Sequence, residues 1–281
     1  MAQNTNHKDK LNISALKDVG IALAMIAVAF VIYQLSARLF VRWTHDRYLL
    51  GYLSEAAFAL PIILAVFLFK KTDIYKAKWR MLATGWTAGL PMLILLLINA
   101  LQIFTGNVAI TASARETGLF IGQMLLVGYC EEMLFRGLLQ NAFHKLYGEQ
   151  SARAVRLAAF SAGGIFGCIH LVNAFQPDIS LTAAATQAVA AIFMGFCFGA
   201  VYFRTGKNIW YLIFLHALND AVVGIVNGTL GGKALTEVIG ESDRFGVFSA
   251  IVPMVFYGGV ALFLLRQKKV NPLLQALNAN P

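Results

Sequence analysis

Six ionisable side chains stand inside long apolar runs of this chain. Glu131, Glu132 and Arg136 share one run, His170 lies in a second, and His216 and Asp220 lie in a third. A charged side chain at mid-membrane costs about 2.5–3.5 kcal/mol on insertion scales, so such residues are functional candidates by default. In Gly-Tyr-Cys-Glu131-Glu132-Met-Leu-Phe-Arg136-Gly, Glu132 and Arg136 are four apart with the acid first. That order favours an ion pair on one helix face. Glu131 is turned about 100° away and has no partner in its own helix. Two readings fit: all three residues form one structural ion cluster, or Glu132 is structural and Glu131 is free for chemistry. Phe166 and His170 are four apart, as are His216 and Asp220. In the second pair the carboxylate can orient the imidazole. Taken singly, either histidine reads more readily as a satisfied core residue.

Together these groups suit hydrolysis. A glutamate close to a histidine can hold a water and act as its general base. A second imidazole can donate to the oxyanion that develops on an attacked carbonyl. No serine or cysteine is placed as a nucleophile; Cys130, the only thiol beside the acids, is one position off the Glu131 face. Cys130, Cys168 and Cys197 all lie in apolar runs, an odd set without metal-ligand spacing, and read as buried core residues. The alternative is metal chemistry, because Glu131, His170, His216 and Asp220 are all competent zinc ligands. The sequence has no His-Glu-x-x-His, and the four ligands would come from three helices.

The elements that must position these residues follow from composition. Of 281 residues, 58% are hydrophobic and 13% charged, with a mean hydropathy of +0.66. Soluble domains run about 45–50% apolar and about 25% charged, so the solvent of this chain is a bilayer. Eight apolar runs predict transmembrane helices: Val19–Val41, Leu50–Phe69, Leu82–Thr105, Leu119–Gln140, Leu157–Phe175, Leu181–Phe203, Ile209–Leu230 and Val247–Leu265. With the amino terminus in the cytosol, sixteen basic residues fall on the cytosolic side and six opposite. This bias predicts both termini inside and turns the net charge of +9 into a topology signal, against nucleic-acid binding. Small residues at Ala191, Gly195 and Gly199, and at Ser161, Gly163, Gly164 and Gly167, predict close helix packing. At 1.5 Å per residue, Glu131 lies about 14 Å, His170 about 20 Å, His216 about 10 Å and Asp220 about 17 Å from the cytosolic ends of their spans. One layer of the bilayer would hold all four. Arg38 and Glu55 read as outer-interface residues.

The three motifs, E-E-x-x-x-R, F-x-x-x-H and H-x-x-x-D, resemble in order, spacing and placement the signature of the CPBP family of CAAX-prenyl and bacteriocin-processing intramembrane proteases. The resemblance implies an all-α membrane fold of about eight helices around a conical cavity open to the cytosol. It also implies roles. Glu131 would activate water with His170, His216 and Asp220 would serve the oxyanion, and Glu132 with Arg136 would hold the site, beside Phe166. The family pattern commonly has Asn where Asp220 stands. An ionised Asp cannot donate a hydrogen bond, so Asp220 either keeps a proton or fixes the His216 tautomer, and Asn219 is an alternative amide donor. The chain then divides into a cytosolic segment 1–18, three helices over 19–118, a catalytic core of four helices over 119–230, and a last helix and cytosolic tail over 231–281. The expected partners are membrane lipids and a peptide or protein carboxy-terminal substrate, prenylated in eukaryotic relatives, with no cofactor and zinc as the less favoured alternative, at the cell membrane. Two other functions fit the same residues: a non-catalytic bacteriocin-immunity or interaction protein on this fold, and a proton-coupled transporter. Against the latter, no paired, similarly interrupted spans occur in two halves of the chain.

Overall fold

In lipid every backbone N–H and C=O must be satisfied inside the segment, and apolar runs of this length meet that demand as helices. A computed structural model describes residues 2–76, 81–106, 108–148, 150–176, 179–241 and 248–279, with the backbone alone for 2–12, 82, 235 and 276–279. The described helices are α1 (Ala2–Phe40), α2 (Arg47–Leu68), α3 (Leu82–Phe104), α4 (Ala114–Glu132), α5 (Asn141–Tyr147), α6 (Ala152–Ile169), α7 (Leu181–Arg204), α8 (Ile209–Val226), α9 (Leu235–Gly240), α10 (Phe248–Leu264) and α11 (Gln267–Ala279). No strand occurs among the described residues, and the protein is an all-α multi-pass bundle.

Seven stretches are long and apolar enough to cross a membrane, and α10 with α11, bent by 46°, makes an eighth if counted as one span. The boundaries differ from the hydropathy runs where polar chemistry starts a helix. Asp46 caps α2 by accepting from the Tyr48 and Leu49 amides. Ser113 and Glu116 form a capping box that starts α4 five residues ahead of Leu119. The first helix begins at Ala2 rather than Val19. Lys78, Arg80, Arg244 and Val247 lie outside the described residues, as do the side chains of Lys8 and Lys10.

Polar ties close the two ends of the bundle. At one end Asp18 of α1 accepts from Lys71 at 3.4 Å and from Lys145 at 2.6 Å. At the other, Arg115 donates to Asp46 at 2.6 Å, Arg47 donates to the Gly232 carbonyl, and the Tyr48 hydroxyl donates to the Thr229 carbonyl at 2.9 Å. Between them, glycines set the closest approaches. A Cβ on Gly163 would stand 2.6 Å from the Phe196 nitrogen, and one on Gly128 would stand 2.7 Å from the Ile213 carbonyl oxygen. The α6–α7 and α4–α8 pairs therefore pack backbone to backbone. Gly164, also expected at a packing face, meets nothing within 4 Å.

Candidate active site

The fourth span changes winding where its chemistry sits. From Met133 to Gln140 the backbone is π-helical, between α4 and α5. Such wide turns are rare and recur at functional sites. Glu131 and Glu132 end the α-helical part, and Arg136 lies in the wide turn, fully buried.

Two hydrogen bonds and two aromatic rings hold Arg136. Its Nη1 donates to Glu132 Oε1 at 2.8 Å, and its Nη2 donates to the Gly195 carbonyl at 3.1 Å. The guanidinium carbon lies 4.8 Å from the Phe166 ring centroid and 5.4 Å from that of Phe198. These contacts compensate a charge that could not otherwise be buried. One turn on, Gln140 donates to the Gly199 carbonyl at 3.0 Å, so a four-residue step on one helix matches a four-residue step on α7.

Glu132 also reaches across the bundle. Its Oε1 lies 2.6 Å from His216 Nδ1, so the carboxylate, an acceptor only, receives the Nδ1 proton. The opposite nitrogen, Nε2, lies 3.4 Å from Glu131 Oε2 and 3.3 Å from Asp220 Oδ2. The tautomer-fixing contact at Nδ1 thus comes from Glu132, while Asp220 stands on the other side of the ring. Asn219 donates its amide to Asp220 Oδ1 at 3.1 Å.

His170 occupies the point where α6 gives way to a 3₁₀ turn, His170–Phe175. Its Nδ1 is 2.9 Å from the Phe166 carbonyl, which can only accept. Nδ1 therefore carries the hydrogen and Nε2 keeps a lone pair. Phe166 lies beside both imidazoles, with centroid separations of 4.9 Å to His170 and 6.2 Å to His216.

Burial divides the cluster in two. Glu132 and His216 are 0% and 1% exposed, whereas the Glu131 and Asp220 side chains keep 25% and 26%. Two half-open acids therefore flank a sealed imidazole. Glu131 and Asp220 meet at His216 Nε2, Glu132 holds the other ring nitrogen, and Phe166 packs against both His216 and His170, which brings these groups to one place. Among the described residues, no group of three or more His, Cys, Asp or Glu is arranged to hold a metal ion. An apolar groove lined by Phe143, Phe160, Gly164 and Cys168 opens sideways on α5 and α6, away from the acids.

Two residues lie elsewhere than their sequence context suggests. Cys130 and Cys197 are buried, but Cys168 is exposed on the flank of α6, because its position faces outward from the α6–α7 contact. Glu55, read as an outer-interface residue, is 7% exposed. Helices α2 and α4 run parallel, with Gly51 against Gln123 and the Glu55 carbonyl 3.9 Å from the Cys130 sulfur, which puts Glu55 at the level of the site. The signal was present in the sequence as an acid with no cation within a turn of it in its own helix, the same property that singled out Glu131.

No curated protein and no solved structure matches the chain. A family model does match, and it spans all three motifs and every residue of the cluster except Glu55 of α2. Residues 113–222 match the family described as Type II CAAX prenyl endopeptidase Rce1-like, in agreement with the CPBP resemblance of the three motifs.

Proposed function

We propose that the protein is an intramembrane endopeptidase in which Glu131 activates a water and His170 assists it. The observation that carries this reading is the pairing of a half-open Glu131 with a sealed His216 whose Nε2 faces it at 3.4 Å. A water between Glu131 and the His170 lone pair gives up a proton to the Glu131 carboxylate as its oxygen attacks the peptide carbonyl carbon. The carbonyl oxygen becomes an oxyanion, and His216 in its imidazolium form, with Nδ1–H held by Glu132 and a second proton on Nε2, stabilises it. Collapse of the tetrahedral intermediate breaks the C–N bond, and the proton held on Glu131 goes to the leaving nitrogen.

The remaining residues position these groups. Glu132 holds the His216 ring through Nδ1, and Arg136 holds Glu132. Asp220 faces Nε2, and Asn219 supports Asp220. The substrate is a peptide or the carboxy-terminal part of a protein, reached from a cavity on the cytosolic face of the cell membrane, with both termini cytosolic. Hydrolysis in this scheme uses no metal.

The test compares wild type with Glu131→Gln in detergent on a fluorogenic peptide library and on membrane peptides of the host. Cleavage by wild type that falls at least about 100-fold in the variant is expected, the scale of a lost general base. A wild type that cleaves nothing, with bacteriocin immunity intact in Glu131→Gln, would sink the protease reading in favour of a binding role. Loss of cleavage with a chelator, restored by zinc, would overturn the metal-free scheme.

A further inference from the structure

Three basic side chains converge at the bend between α10 and α11 without an acid among them. Arg204, in the last turn of α7, donates through Nη1 to the Lys269 carbonyl, and its Nε is buried without a hydrogen-bond partner. Arg266 and Lys269 share one ring: the guanidinium carbon lies 4.2 Å and the ammonium nitrogen 4.3 Å from the Phe263 centroid. The two charges therefore stand no farther apart than the sum of those distances. The sequence holds no Asp or Glu between 179 and 219 or after 243. Among the described residues, Arg204, Arg266 and Lys269 form no salt bridge to a carboxylate. Backbone dipoles offset little of this charge. The carboxyl end of α7 favours Arg204, but at the 46° bend the end of α10 and the start of α11 meet with opposite partial charges.

The surroundings of the three cations are apolar on the outward side. Leu262 and Phe263 are 54% and 50% exposed on α10, whereas Val270, Leu273 and Leu274 turn the other side of α11 into the core. Gly163 meets Phe196 and Gly167 meets Ile192, so α6 and α7 are antiparallel and Arg204 lies where α6 begins, at the bundle end tied by Asp18. We propose that the α10–α11 bend binds the phosphate of an anionic phospholipid, held by Arg266 and Lys269 and backed by Arg204, with an acyl chain along Leu262 and Phe263. The planar guanidinium offers a fork to two phosphate oxygens, and the ammonium adds a point charge. A lipid fits better than a free anion because the cations sit on a half-exposed ring that caps an apolar, outward face. Basic clusters at the ends of spans draw anionic lipids in this way. The bound phosphate would relieve the repulsion among the three cations and hold α11 to the bundle. The site is separate from the acids of α4 and α8 and does not depend on the hydrolytic reading.

The test titrates the full-length protein in a neutral detergent with phosphatidylglycerol or with phosphatidylcholine of the same acyl chains. Native mass spectrometry reads lipid retained, and thermal unfolding reads stabilisation. Wild type should retain one phosphatidylglycerol at concentrations where phosphatidylcholine is lost, and its melting temperature should rise with the anionic lipid alone. Arg266→Gln/Lys269→Gln should bind phosphatidylglycerol about 10-fold more weakly or less tightly still, the scale of two interfacial cations. Lys17→Gln/Arg153→Gln removes two exposed cations elsewhere at the same end and should bind as wild type does. Inorganic phosphate should leave the melting temperature unchanged. Equal retention of the two lipids by wild type would overturn the proposal, and so would undiminished binding in Arg266→Gln/Lys269→Gln. Equal weakening in Lys17→Gln/Arg153→Gln would replace the site by a diffuse charge effect, and stabilisation by inorganic phosphate that matches the lipid would make it a free-anion site; either result overturns it. The comparison of the two lipids on wild type needs no variant, so it decides the matter even if a substituted protein fails to fold.

Discussion

Replacing Arg136 by methionine removes the cation and keeps an unbranched side chain, and the contacts it deletes set the size of the effect. The residue is fully buried, and the substitution removes two hydrogen bonds, at 2.8 Å to Glu132 and 3.1 Å to Gly195, and two ring contacts at 4.8 and 5.4 Å. Glu132 is then left without its cation. Breaking one half of a buried pair costs about 3–5 kcal/mol, most of it the stranded charge. Arg136→Lys keeps the charge but not the planar fork, so it should lose the Gly195 bond and the stacking, about 1–3 kcal/mol. The decisive member is Arg136→Met/Glu132→Gln, in which no carboxylate is stranded. It should recover at least about 1.5 kcal/mol relative to the sum of the two single changes, within the range of coupling energies for contacting residues. Equilibrium unfolding in mixed micelles, followed by near-UV circular dichroism, measures wild type and these variants. A loss under about 1 kcal/mol for Arg136→Met, or strict additivity in the double variant, would refute the picture of a scaffold built on this pair. Activity adds a second axis. Glu132→Gln should lose rate as well as stability, because removing a carboxylate that orients a catalytic imidazole costs up to about 10⁴-fold.

Other consequences are simpler to check. A Cβ on Gly167 would stand 2.3 Å from the Ile192 Cγ1 and 2.5 Å from the Ile192 nitrogen, so Gly167→Ala should destabilise by about 1–3 kcal/mol. Gly164→Ala, one turn away with nothing within 4 Å, should be neutral or gain up to about 1 kcal/mol, and thermal unfolding separates the two. Asp46 predicts an acid limit: the Arg115 hydrogen bond, then the Leu49 amide, hold its carboxyl below the usual carboxylate range. A carboxyl lowered in the folded state contributes fully above its unfolded value of about 3.9 and loses that contribution as pH falls through the folded value. Wild type should therefore lose more of its melting temperature than Asp46→Asn between about pH 5 and pH 2, and equal slopes would count against the cap.

Much of the fold was legible because lipid leaves the backbone few options. The apolar runs locate the helices, and the three motif pairs each lie at a spacing that one helix can satisfy alone. What escaped the sequence depends on contacts between distant segments. Nothing near Glu132 announces that its Oε1 meets His216, 84 positions later. The helical period does not reveal the π turn at Met133–Gln140. Glu55 was misplaced for a related reason. Depth counted from the edges of hydropathy runs assumes that each run begins at the membrane surface, whereas α4 starts five residues before its apolar run, at Ser113 and Glu116. The α2–α4 register, and with it the level of Glu55, follows from that earlier start.

One oxygen, Glu132 Oε1, receives both the Arg136 guanidinium and the His216 imidazole. In most enzymes a mutation that firms the frame and a mutation that tunes the reaction can accumulate separately. Here the two lineages of change pass through a single atom. A substitution that strengthened the frame by drawing Glu132 toward Arg136 would pull on the imidazole as well. Adaptation to heat in this protein should accordingly proceed through the α6–α7 seam, the helix caps and the polar ties at the bundle ends, leaving this one carboxylate out of reach.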